Sequence, residues 1–125
     1  MFDPPLSADI LRAVATFLRE RATPALIGHA AFEARVAANA LEIAARQASC
    51  EAISEEQEQT RLFGLLSDET GDLTALNQSL CQRIADGTLT LDNAALRDHL
   101  WATTLAKLAV DQPSYSTYQA VTAKA

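Results

Sequence analysis

Apolar residues recur along most of this chain at intervals of three and four, the period of an α-helix. Ile10, Leu11, Val14, Phe17 and Leu18 mark a first helix over about 8–21, with Ser7 placed to cap it. Thr23-Pro24 predicts its end, because a residue before proline avoids the α region. The most informative stretch is 30–48, where nine of nineteen residues are Ala and none is Gly or Pro. It predicts a helix over about 29–50 whose small side chains admit neighbours on several sides. Ser54, with Gln57 three residues on, reads as a capping box. It opens a third helix carrying Leu62, Phe63, Leu65 and Leu66, and 67–71 reads as a loop. Leu73, Leu76, Leu80 and Ile84 form the ridge of a fourth helix over about 72–86, closed by Gly87 as a C′ glycine. The segment 88–91 reads as a connector, since one isolated strand has no partner. A fifth helix runs from Asp92 as N-cap to about Asp111, and Pro113 stops it. The tail, 114–125, is short and polar, either frayed or docked by Tyr115 and Tyr118.

This pattern predicts an all-α fold: a compact bundle of about five helices around the Ala-rich one. The connections are short, which makes successive helices antiparallel neighbours. A length of 125 residues fits a single helical domain over 1–125. Aromatics make up only 6%, so Leu, Ala, Ile and Val have to fill the core.

The net charge of −6 and the lack of any basic run argue against nucleic acid and anionic membrane surfaces as partners. The acids at 51, 55, 56 and 58 read as a solvated helix start. Cys50 and Cys81 have no metal spacing, and Cys81 falls on an apolar stripe, which predicts a buried free thiol. The first residues lack the basic and apolar regions of a signal peptide, so the expected setting is cytoplasmic. No nucleophile elbow, phosphate loop, dinucleotide fingerprint or metal motif occurs, so neither enzymatic activity nor a cofactor is expected. His29 and His99 lie in separate helices and outside any metal motif, and Trp101 reads as core.

Polar residues on apolar faces are the remaining signal. On a helical wheel Asn39 falls about 20° from Phe32, in a stripe with Val36 and Ile43. Arg35, Glu42 and Arg46 flank it. Asn77 falls between Leu73, Cys81 and Ile84. Lys107 falls among Leu96, Leu100 and Val110, with Asp111 one turn on. Burying such a group unpaired costs about 1–3 kcal/mol, so these residues need partners or a use. One reading is a polar network that fixes which helices pair. Another is a ligand pocket between the second, fourth and fifth helices, built from Arg35, Asn39, Glu42, Asn77, Lys107 and Asp111. There Arg35, Asn39 and Lys107 would donate to the carboxylate or phosphate of an acyl or phosphorylated small molecule. A third, an enzyme with Glu42 or Asp111 as base and Lys107 as acid, ranks last without a motif behind it.

The run His29-Ala30-Ala31-Phe32-Glu33-Ala34-Arg35-Val36-Ala37-Ala38-Asn39-Ala40-Leu41 is distinctive. So are Gly71-Asp72-Leu73 with Leu76-Asn77, Ile84-Ala85-Asp86-Gly87, and the stretch from Lys107 to Tyr115. In these motifs the chain resembles an uncharacterised family of small all-helical bacterial proteins, a domain of unknown function. The resemblance implies a neighbourhood: members occur beside or fused to kinase-like proteins of the aminoglycoside-phosphotransferase type, and near acyl-CoA dehydrogenases. It therefore implies an accessory or interaction domain with such a partner, with self-association a further option. The kinase's own phosphate-binding motifs are absent, so the chain is not the kinase.

Overall fold

The computed structural model describes residues 3–67 and 70–124. The start of the chain and the middle of the expected 67–71 loop lie outside the described residues. Within them the chain is all-α, with no strand. The order is α1 (Ser7–Phe17), a π-helical turn (Leu18–Ala22), α2 (Thr23–Ala25), α3 (His29–Leu66), α4 (Leu73–Ala85), α5 (Ala94–Asp111) and α6 (Ser116–Thr122). No helix among the described residues is long and apolar enough to cross a membrane.

Several boundaries differ from the sequence reading, each for a local reason. Leu6, not Ser7, holds the extended N-cap position of α1, and no side chain caps that end. Thr23 stays helical although Pro24 follows. The π turn makes this tolerable: the Thr23 N–H and hydroxyl both donate to the Leu18 carbonyl, five residues back. The two helices expected over 29–66 are one helix of 38 residues. Ser54 sits mid-helix because nothing between Cys50 and Ser54 breaks the rod: neither Gly nor Pro is there. Asp72 caps α4, its carboxylate accepting from the Ala75 N–H at 2.8 Å. Gly87, at φ +79°, closes α4 with its N–H on the Ile84 carbonyl. Asn93, one residue after the expected Asp92, caps α5 through the Leu96 N–H at 3.0 Å. The tail forms α6.

The chain divides into two compact units, Met1–Glu51 and Ala52–Ala125, with the boundary inside α3. In the first unit α1 runs antiparallel to the first half of α3. Arg12 reaches Ser49, while Arg19, further along the chain in the π turn, reaches back to Asn39 and Glu42. Among the described residues its buried hydrophobic ones are all alanines: Ala8 and Ala15 on α1, Ala34, Ala38 and Ala45 on α3. In the second unit Leu62 and Leu66 of α3 pack with Leu76 and Leu80 of α4 and Leu96 of α5. Leu65, Leu73 and Leu89 edge this core.

The alanine seam makes a sharp stability prediction. Ala38 is fully buried and Ala37 exposed, one residue apart on the same helix. Ala38→Leu forces side-chain bulk between the helices and is expected to destabilise by about 1–3 kcal/mol. Ala37→Leu is expected to stay within about 0.5 kcal/mol of the parent. Urea unfolding of the two variants checks this.

Candidate functional site

The first unit holds three of the six candidate residues. The Arg19 guanidinium donates from Nη2 to the Asn39 Oδ1 at 2.7 Å and from Nη1 to the Glu42 carboxylate. One cation just beyond α1 thus clamps two acceptors one turn apart on α3. Asn39 shares its stripe with Phe32 and Val36 as the wheel predicts, but that stripe is exposed, Phe32 by 54%. The reason is that α1 approaches α3 on the alanine side, which turns Asn39 and its apolar neighbours outward. Arg35 is exposed on the same rod, and Glu42 is half-buried.

The other three candidates belong to the second unit. The Asn77 amide donates to Glu58 Oε1 at 2.9 Å and to the Leu73 carbonyl at 3.1 Å. Asn77 is half-buried, so the expectation of a polar residue set into an apolar face holds best here. Lys107 and Asp111 both stand exposed on α5. Lys107 follows Leu96 on the wheel, but the fully buried residues of α5, Leu96 and His99, lie in its first half, and the later part of the helix turns Lys107 outward. Cys81 is exposed rather than buried, and Trp101 is exposed too.

The second unit also contains a polar cluster that the sequence reading passed over. His99 is only 3% exposed. Its Nδ1 has no hydrogen-bond partner, and neither does the buried hydroxyl of Thr103 one turn later. The buried Nε of Arg61 is likewise unpaired. Burial holds the His99 imidazole below its ordinary value, the Arg61 charge lowers it further, and Glu58 opposes both. Glu58 therefore faces both Asn77 and the histidine. A usable signal existed: Glu58 stands four and seven residues before Leu62 and Leu65, on the core side of the helix, unlike a merely solvated acid. His99 offered a weaker one, three residues after the core Leu96. Among the described residues no group of His, Cys, Asp and Glu is arranged to hold a metal ion.

These contacts support two predictions. Asn77→Leu strips a half-buried carboxylate of its amide donor and is expected to cost about 1–3 kcal/mol. Adding Glu58→Leu removes the stranded charge, so the double variant is expected to lose less than the sum of the two singles. Urea midpoints of the full cycle read this directly. For His99 the fold favours the neutral ring. Stability that it contributes is present above 6.5, the imidazole's ordinary value, and is lost as pH falls toward the lower folded value. Unfolding free energy followed from pH 8 to pH 5 is expected to fall less steeply in His99→Leu than in the parent protein.

No curated protein and no solved structure matches the chain. One family model does, over residues 24–115, well over half of the length. That span takes in the long helix, the Asn77–Glu58 pair and the buried histidine. The chain belongs to the family described as Domain of unknown function (DUF6285).

Proposed function

We propose that the chain is an accessory interaction domain, which binds a protein partner through the apolar face of its first unit. The observation that carries this reading is an inversion of the usual burial order. Alanines occupy the buried positions, while Ile10, Val14 and Phe17 of α1 stand outward, Phe17 by 57%. Their spacing of four and three residues puts them on one stripe, the pattern with which a helix docks against another protein. Apolar clusters left exposed on a folded surface commonly mark such contacts.

The resemblance supplies the partner class: a kinase-like protein of the aminoglycoside-phosphotransferase type, or an acyl-CoA dehydrogenase. A cytoplasmic setting goes with it, and the two free thiols fit a reducing compartment. Binding of a small acyl or phosphorylated molecule by Arg35, Asn39 and Lys107 is the weaker reading. Arg19 already engages Asn39 and Glu42, which favours a hairpin clamp over an open ligand site.

The test mixes the purified chain with the purified kinase-like protein, and separately with the dehydrogenase, in sedimentation velocity. A complex with one of them is expected, and Val14→Glu/Phe17→Glu is expected to weaken it at least about tenfold with the helical circular dichroism intact. No complex with either enzyme at tens of micromolar would overturn the proposal.

A further inference from the structure

The second unit carries an open groove of about 860 Å³ between the end of α3 and α4. Leu73, Cys81 and Ala85 give it an apolar bed, and Glu55 and Glu58 border it. A second hollow of about 490 Å³ shares Glu55, Leu73 and Thr74 with the first and adds Glu56 and Asp72. The two form one surface, and no Lys, Arg or His lines either part. Glu55 and Glu56 are exposed there, while Glu58 is held by Asn77 and Asp72 by the first turn of α4.

We propose that this groove docks a basic amphipathic segment of a partner protein. Its apolar side chains would lie along Leu73, Cys81 and Ala85, and its Lys or Arg residues against Glu55, Glu56 and Glu58. Charge complementarity selects the occupant. A second copy of this chain, at net charge −6, brings acid to acid. A small cation finds no enclosure, because small ligands are held in concave sites that bury most of their surface. Exposed ion pairs contribute little each, so the apolar bed has to supply most of the affinity and the acids the selectivity. This surface shares no residue with the α1 stripe and does not depend on that reading.

The experiment uses the full chain with Cys50→Ser, leaving Cys81 as the reporter thiol. The probe is a fluorescein-labelled Leu/Lys peptide of about five helical turns, its leucines on one face. Controls are a scrambled peptide of the same composition and free spermine. Anisotropy at about 0.05 M NaCl is expected to give micromolar binding, weakened at least about tenfold at 0.5 M NaCl and in Glu55→Gln/Glu56→Gln/Glu58→Gln. Saturating peptide is expected to slow alkylation of Cys81 at least about fivefold by covering it. The Glu58→Gln change keeps an amide oxygen as acceptor for Asn77. Should the triple variant still fail to fold, Glu55→Gln/Glu56→Gln is expected to weaken binding at least about threefold. Equal binding of the scrambled peptide, full displacement by equimolar spermine, unchanged affinity in the Gln variants or unprotected Cys81 would each overturn the proposal.

Discussion

The close approach of α1 to the first half of α3 is the constraint from which the rest of the first unit follows. An alanine side chain ends at its Cβ, so two helices that meet at Ala8, Ala15, Ala34, Ala38 and Ala45 can pack nearly backbone to backbone. The gain is dense contact along the seam. The consequence is geometric: a side chain as large as Phe17, Phe32 or Val36 cannot enter the seam and has to face elsewhere. Exposed apolar surface here is thus not a defect of patterning. It is the other half of choosing a small-residue contact.

The second unit solves the same problem in the ordinary way. Its leucines come from three helices and meet in one cluster, so leucines rather than alanines are the fully buried side chains. Polar groups then have to be accommodated beside this core, where a half-buried Asn–Glu hydrogen bond and a buried, unpaired imidazole appear. One helix serves both arrangements. Along α3 the buried residues change from Ala34, Ala38 and Ala45 to Leu62 and Leu66.

Helical periodicity is legible throughout the sequence, because α-helix repeats write themselves into local spacing. The ridge Leu73, Leu76, Leu80 and the stop at Gly87 are readable for that reason. Which face meets which neighbour is not. The wheel puts Asn39 beside Phe32 and Val36, correctly, yet it expects neighbours on that stripe as well as on the alanine side. The choice of the alanine side depends on α1, which lies outside any local window around Asn39. The Ser54–Gln57 pair misleads in the opposite direction: a capping box is a statement about side-chain types, whereas a helix ends only where the backbone is made to leave it. The family is legible in its motifs, while the cluster around His99 stays hidden because burial of a histidine leaves no mark on spacing.

The candidate polar residues acquire their meaning from the packing. A seam whose buried residues, among those described, are all alanine varies little along its length, so sliding one helix past the other by a turn changes its methyl contacts little. Uniform contacts stabilise pairing but do not specify register. Directional bonds do: Arg12 on Ser49 and Arg19 on Asn39 and Glu42 can all form in only one alignment of the hairpin. Each pair is exposed or half-exposed and adds little stability by itself. Its effect lies in the difference between the right register and the wrong ones, where the guanidinium groups would lose their acceptors. The leucine core has less need of such pins, since unequal side chains from three helices interlock in few ways. That is why the two units differ in what their polar contacts do: they set the register of a small-residue seam in one, and flank a leucine core in the other.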